Sequence, residues 1–265
     1  MSEPAFDLVV LSPHLDDGVL SCGGRLAAAS EAGERALVVT LFAGDDPVAP
    51  INPLAVELRR LWSLPPGEVI AARRAEDVEA CRRLGVEALH WRFPEAIYRA
   101  SPAGAAYYPS VPALYGEPDR REAELVDELA AAVAALPAAR LLLAPLAVGG
   151  HVDHRLARQA AEHSGRELAY YEDFPYVEWK RLALGRALGG SLGLPWRAPR
   201  GWQAEVLPLG AGLLERRAQA ILAYASQVPA LFRGEGRLRK QLRRAARRAG
   251  GERIWRRSTA APGAG

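Results

Sequence analysis

The chain has 265 residues, 49% of them hydrophobic and 25% charged, which is typical of a globular protein with a full core. Its two cysteines, Cys22 and Cys81, are too few for a disulfide scaffold or a cysteine-ligated zinc site. The N-terminus lacks the pattern of a signal peptide, and no segment approaches the roughly 18 apolar residues of a membrane span. We therefore expect a cytoplasmic protein that binds no membrane. Because Lys180 and Lys240 are the only lysines, we attribute the arginine excess behind the net charge of +3 to coding bias.

Apolar runs bounded by turn residues predict a β-α-β opening whose two strands pair in parallel through a right-handed crossover. Its parts are a strand over Leu8–Leu11, a helix over Val19–Ala32 and a strand over Ala36–Ala43. The chain up to Phe93 then predicts, in order, a loop over Asp45–Pro66 with a short helix at Leu54–Trp62, a helix over Glu68–Leu84 that ends at Gly85, and a strand over Ala88–Phe93.

The segment Pro94–Pro118 has no periodicity and holds four tyrosines, which is typical either of a functional lid or wall or of a packed surface loop. The remaining pattern predicts a helix over Asp119–Leu136, a strand over Arg140–Leu146, a helix over Asp153–Ser164, strands over Leu168–Tyr171 and Trp202–Leu209, a helix over Leu213–Ser226 and a basic segment over Arg237–Arg248. We predict an α/β fold, a Rossmann-like, mostly parallel sheet flanked by helices, with a C-terminal elaboration. Residues 1–258 form one domain in this prediction, and residues 259–265 form a flexible tail.

Two clusters of ionisable residues each follow a buried strand. His14, Asp16 and Asp17 come directly after the first strand, and the run His151-Val152-Asp153-His154 follows the strand that ends at Leu146. The carboxyl ends of parallel strands share one edge of a sheet, which is where such folds bind ligands. We predict that the clusters meet and that His14, Asp17 and His154 hold one metal ion. Two imidazoles and one carboxylate leave a coordination position for water, as in catalytic zinc sites.

The remaining polar residues of the clusters then acquire roles in hydrolysis. Asp16 is the predicted general base for the attacking water, and His151 stabilises the developing oxyanion or protonates the leaving nitrogen. Asp153 orients one imidazole and raises its basicity. The alternative is structural, because aspartate is a common helix N-cap and a lone histidine is more often a packing residue than a ligand. Two clusters in equivalent positions favour the metal site.

The motifs Pro13-His14-Leu15-Asp16-Asp17 and His151-Val152-Asp153-His154 together resemble the paired signature of the PIG-L/LmbE-like zinc-dependent de-N-acetylases, which act on N-acetylglucosaminyl groups. The similarity continues at Arg73-Arg74-Ala75-Glu76 and at several later segments, so it covers nearly the whole chain. The resemblance implies the same metal ligands, Asp16 as base and His151 as the acid or electrostatic partner. It also implies substrate contacts by Arg73, Glu95, Tyr98 and Arg99.

Two departures from the family pattern bear on the identity of the substrate more than on the chemistry, and the first of them indicates a subgroup. Leu15 stands where the commonest first motif has proline, and Glu95 stands where related sequences have aspartate. The predicted reaction is unchanged: a small-molecule N-acetyl amino sugar conjugate is hydrolysed to acetate and a free amino sugar. The predicted cofactor is Zn²⁺, with Fe²⁺ as the cellular alternative, and the sequence leaves a homo-oligomer open.

Two other functions fit parts of the sequence. A non-haem iron enzyme uses two histidines and one carboxylate as well, although Asp16 and His151 would then have no role. A nucleic-acid-binding protein would use the basic segment Arg237–Arg248, but no aromatic residues interleave it, so we expect no nucleic-acid partner. A nucleotide-binding Rossmann protein is disfavoured because no G-x-G-x-x-G follows the first strand.

Overall fold

A computed structural model describes residues 4–47, 52–65, 67–178 and 201–257. Within these ranges the strands are β1 (Phe6–Ser12), β2 (Ala36–Thr40), β3 (Glu87–His90), β4 (Ala139–Pro145), β5 (Ala169–Tyr171), β6 (Trp202–Leu207) and β7 (Glu252–Arg257). The α-helices are α1 (Asp17–Glu31), α2 (Pro53–Trp62), α3 (Val69–Leu84), α4 (Val111–Leu114), α5 (Ala123–Ala134), α6 (Val152–His163), α7 (Ala211–Ile221), α8 (Val228–Phe232) and α9 (Glu235–Ala249). Each of these helices is too short or too polar to span a lipid bilayer.

The strands form one sheet in the order β3-β2-β1-β4-β5-β7-β6. The first five are parallel to one another, whereas β7 runs antiparallel to both β5 and β6. The predicted β-α-β opening and the mostly parallel sheet are therefore confirmed. The chain proceeds outward from β1 to β2 and β3, then returns to place β4 on the other side of β1. This reversal between β1 and β4 is a topological switch point, where open α/β sheets bind ligands in the crevice at the carboxyl ends of the strands.

Side chains of β1 alternate between two cores, because successive residues of a strand point to opposite faces of a sheet. Leu8 and Val10 pack in the core that α1, α3 and α7 cover, and Val9 and Leu11 pack in the core that α5 and α6 cover. A third, smaller core lies under α2 and the segment between β3 and α5. Both faces of the central strands are thus buried, which explains their nearly continuous apolar sequences.

The predicted elements are present with small shifts at their ends. The helix over Asp119–Leu136 is divided into a 3₁₀ turn at Arg120–Glu122 followed by α5, and Gly85 ends α3 in the left-handed conformation with φ of 75°. The segment Pro94–Pro118 contains a 3₁₀ turn at Ala96–Tyr98 and helix α4. The sequence patterns did not predict β7 or α8. The predicted flexible tail, residues 259–265, lies outside the described residues.

The C-terminal elaboration is attached to α1 through a buried ion pair. In the middle of α1 the N–H groups of Gly24 and Arg25 donate to the carboxylate of Glu252 on β7, at 2.7 and 2.8 Å. Arg217 on α7 pairs with the same carboxylate at 3.0 Å and donates to the carbonyl of Leu20. The contact requires glycine, since a Cβ on Gly24 would lie 2.7 Å from Oε1 of Glu252.

Candidate metal-dependent active site

The turn after β1 presents its acidic residues to the crevice at the switch point. The hydroxyl of Ser12 donates to the carbonyl of His14 at 2.6 Å and accepts from the N–H of Gly18 at 2.8 Å, which holds the turn at the start of α1. Asp16 occupies the N-cap position, but its side chain makes no capping hydrogen bond. The capping alternative therefore does not account for Asp16, whose carboxylate lines the cavity above the turn.

The second cluster starts α6. His151 is the N-cap residue, and its Nδ1 accepts a hydrogen bond from the N–H of Asp153 at 3.2 Å. A neutral imidazole carries one proton, so a ring that accepts at Nδ1 carries its proton on Nε2. His151 therefore offers an N–H donor at the cavity that it lines.

The two clusters meet, as the sequence predicts. Oδ2 of Asp17 lies 3.0 Å from Nδ1 of His14 and 3.1 Å from Nε2 of His154. The other nitrogen of each ring contacts a buried carboxylate: Nε2 of His14 lies 2.9 Å from Asp153, and Nδ1 of His154 lies 2.7 Å from Asp173. Both rings are thus fixed so that their remaining nitrogens face Asp17.

Burial and neighbouring charges perturb the ionisation of the cluster. Burial acts to raise the pKa of Asp17, but the imidazoles of His154 and His14 together outweigh it and hold this pKa well below its usual range. Burial acts to lower the pKa of His154, but the carboxylates of Asp17 and Asp173 together raise it to about 9. Burial and the charge of Asp17 raise the pKa of Asp16 to about 7. Burial and the proximity of His14 lower the pKa of His151 to about 3, which keeps this ring neutral.

These side chains fit a divalent metal ion. Nε2 of His154 is buried and pairs with Oδ2 of Asp17 at 3.1 Å without an aligned hydrogen bond among the described residues, so a cation bound to both atoms would compensate them. Nitrogen atoms of His14, His151 and His154 all lie within 4.8 Å of one another. Imidazoles oriented by carboxylates through their second nitrogen are typical of metal ligands. Two ligand sets are therefore geometrically available, one with Asp17 and one with His151.

Residues 9–164, a range that contains both clusters, match the family model for PIG-L, GlcNAc-PI de-N-acetylase. The chain belongs to the PIG-L family.

Individual PIG-L relatives and structures agree with this membership. The chain is 30% identical over 210 residues to a 2'-N-acetylparomamine deacetylase of Niallia circulans, covering 69% of this chain and 76% of that protein. It is 33% identical over 177 residues to a 2'-N-acetylparomamine deacetylase of Streptomyces fradiae, covering 64% of this chain and 57% of that protein. The fold is similar to the zinc-inhibited form of teicoplanin deacetylase Orf2, with a TM-score of 0.76, 29% identity and coverage of 96% of this chain and 100% of that chain.

These comparisons confirm the predicted family and fold class, and they confirm a carbohydrate de-N-acetylase as the predicted class of enzyme. The histidine cluster and the likeness to a zinc-inhibited deacetylase support a metal site. Neither the histidine cluster nor these comparisons support Fe²⁺ as the alternative metal.

The four predicted substrate contacts fall into two groups, according to whether they line the cavity above the candidate metal site. Arg73 and Glu95 line it, joined by a 2.5 Å ion pair, and the Arg73 guanidinium stacks on Trp62 at 4.6 Å from the ring centroid. Nε of Arg73 is buried without a partner among the described residues. Tyr98 and Arg99 do not line this cavity, since the Tyr98 hydroxyl accepts from buried Arg59 and Arg99 is directed to other carboxylates.

Arg99 contacts the carboxylate of Asp153 on the side away from the cavity and so supports the orientation of His14. Its guanidinium donates to Asp153 at 2.6 Å and to Glu122 at 2.5 Å, and both carboxylates are buried. Asp153 also accepts from the N–H of Ala96 at 2.9 Å. The carboxylate that orients His14 is therefore held by the Arg99 guanidinium and by the N–H of Ala96.

Asp173 is the site residue that the sequence reasoning did not single out. It follows β5, and its Oδ2 accepts from the N–H of Val148 at 2.8 Å while Oδ1 contacts His154. A signal was present, because β5 is a third parallel strand whose carboxyl end reaches the same edge as β1 and β4. An acidic residue just after such a strand is a candidate for the site.

Proposed function

We propose that His14, Asp17 and His154 hold a zinc ion and that the enzyme hydrolyses the N-acetyl group of an N-acetylglucosaminyl-type conjugate. The observation that carries this proposal is the buried Nε2 of His154, which faces Oδ2 of Asp17 at 3.1 Å without an aligned hydrogen bond among the described residues. Of the two ligand sets, the one with Asp17 agrees better with the position of the ring proton of His151. As a ligand through Nε2, His151 would lose its proton and still accept at Nδ1, leaving the ring without any N–H.

When bound, the zinc ion polarises the acetamide carbonyl and lowers the pKa of water to about 7. The side chains supply the remaining steps. Asp16 lines the cavity without a capping bond, so its carboxylate is free to take a proton from the attacking water. In this proposal the Nε2 proton of His151 stabilises negative charge on the former carbonyl oxygen.

The rest of the cavity binds the sugar in this proposal. Arg73 and Glu95 present donors and acceptors beside Asp16, and the unpartnered Nε of Arg73 supplies a donor for a sugar oxygen. Tyr98 and Arg99 act indirectly, through the wall and through Asp153. As the C–N bond of the amide breaks, the proton taken up by Asp16 passes to the leaving nitrogen, and the products are acetate and a free amino sugar. The cytoplasmic location and the single domain stay predictions.

The test is acetate release from N-acetylglucosaminyl conjugates by protein that has been stripped of metal and reconstituted. We expect no turnover after chelation, recovery with one equivalent of Zn²⁺ per chain, and no dependence on oxygen or an electron donor. Fe²⁺ reconstitution under argon is the parallel arm that decides between the metals. Acetate release by chelated protein would refute the proposed function.

A further inference from the structure

The cavity has a charged floor and an apolar mouth. Its floor consists of His14, Asp16, Asp17, Arg73, Glu95, His151 and Asp153. Its volume is about 210 Å³. Pockets that enclose a whole drug-sized ligand measure roughly 300–1,000 Å³. The floor therefore accommodates the acetamide and its sugar ring, and whatever is attached to the sugar extends through the mouth.

Apolar side chains from three separate segments form the mouth. They are Leu58 and Trp62 of α2, Val111, Leu114 and Tyr115 of α4 and its C-cap, and Leu231 of α8. Val111 is 52% exposed and Tyr115 is 42% exposed, so two of the six large hydrophobic side chains exposed on the described residues belong to this mouth. Exposed apolar residues gathered at one place mark a binding surface more often than isolated ones do.

The Tyr115 ring is held in position rather than free. It contacts His151 edge-on at 5.4 Å between ring centroids and Tyr176 at 6.4 Å. The apolar surface is thus continuous with the catalytic floor, and a group attached to the bound sugar must pass along it. The charged residues that line the cavity belong to its floor, and of these Arg73 stacks on Trp62 at 4.6 Å from the ring centroid.

We infer that the substrate carries its N-acetylated sugar on an apolar or aromatic aglycone, which packs on Val111 and Tyr115 at the mouth. This inference rests on the proposed deacetylase function and concerns the group beyond the sugar. An aromatic aglycone buries its faces against the mouth, whereas a cationic one meets no carboxylate there and loses hydration without compensation. In this inference the enzyme selects its substrate by the aglycone as well as by the N-acetylated sugar.

The experiment compares methyl and phenyl N-acetylglucosaminides, which share the sugar and differ in the aglycone. We expect kcat/KM to be at least about tenfold higher for the phenyl conjugate, mainly through a lower KM, because the aglycone binds equally in ground and transition states. An aminoethyl conjugate should be no better than the methyl one. Equal kcat/KM for all three would overturn the inference, and acetate release from none of them would refute the deacetylase function beneath it.

A matched pair of variants locates the effect. Val111→Ser should lower the phenyl-to-methyl ratio, because it removes one of the two exposed apolar side chains on which the aglycone packs. Val78→Ser removes an equally exposed valine, 51% against 52%, from α3 outside the cavity, and should keep the ratio. Both positions are half exposed, so both variants should fold. A ratio that Val111→Ser leaves unchanged would show that the mouth does not bind the aglycone.

Discussion

Asp173→Asn replaces one oxygen by an amide nitrogen behind the metal site, and we expect it to weaken zinc binding by about 10–100-fold. Both oxygens of Asp173 are used, because Oδ1 contacts Nδ1 of His154 at 2.7 Å and Oδ2 accepts from the N–H of Val148 at 2.8 Å. Asparagine has one acceptor oxygen. In either orientation its NH₂ group faces Val148 N–H or Nδ1 of His154, and each of these groups needs an acceptor.

The two orientations have different costs. If the amide oxygen accepts from His154, the NH₂ group opposes the Val148 N–H, and a buried donor is left unpaired at about 1–3 kcal/mol. If the amide is flipped, its NH₂ donates to Nδ1 of His154 and moves the ring proton to Nε2, the nitrogen that faces Asp17. The first orientation lowers the free energy of unfolding, and the second opposes metal binding directly.

Asp77→Asn is the matched control for this variant. Asp77 and Asp173 are each 1% exposed, and Asp77 also contacts a histidine, with Oδ2 at 2.8 Å from Nε2 of His90. Asp77 does not line the cavity. We expect both variants to unfold at lower urea concentration, and only Asp173→Asn to lose zinc to a competing chelator at lower chelator concentration. Equal zinc affinity in the two variants would refute the orienting role of Asp173.

Four further substitutions test the site and the scaffold that supports it. Asp16→Asn should lower kcat by about 10²–10⁴-fold while zinc stays bound, as general-base catalysis predicts, and loss of zinc on dialysis would make Asp16 a ligand instead. His151→Ala should retain one zinc per chain by metal analysis and Asp17→Ala should lose it; the reverse pattern would establish the three-histidine set. Glu252→Gln should lower the free energy of unfolding by about 3–5 kcal/mol in urea titrations, because it leaves the buried Arg217 guanidinium uncompensated, and an unchanged midpoint would contradict this.

The parallel half of the fold and the convergence of the two clusters could be predicted from the sequence. Buried parallel strands have continuous apolar runs, and His14 and His151 lie in the connections that follow two of them. Adjacent strands then bring the clusters together without any further information. Asp173 also follows a parallel strand and is predictable in the same way, but β5 has only three residues, so its apolar run is a weak indication of a strand.

Contacts between distant elements had no local signal. The helix predicted over Leu213–Ser226 ends at Ile221, although apolar residues continue beyond it. In the structure the Tyr224 hydroxyl donates to Asp77 at 2.6 Å, and Ser226 donates to Glu76 through both its N–H and its hydroxyl. These bonds to α3 end the helix, and helical periodicity does not encode them. Likewise, nothing near Arg99 in sequence indicates that its partners are Glu122 and Asp153.

The run Cys22-Gly23-Gly24 shows how such contacts connect the C-terminal elaboration to catalysis. It lacks the spacing of a phosphate-binding loop, and its glycines instead admit Glu252 and Arg217 to the backbone of α1. The first turn of the same helix carries Asp17. Because the ion pair bonds N–H groups and a carbonyl in the middle of α1, the helix cannot slide along its axis without breaking buried, charge-assisted hydrogen bonds. Strand β7 therefore belongs to the scaffold that fixes Asp17 opposite His154, although it lies two strands from β4 and contributes no residue to the cavity floor.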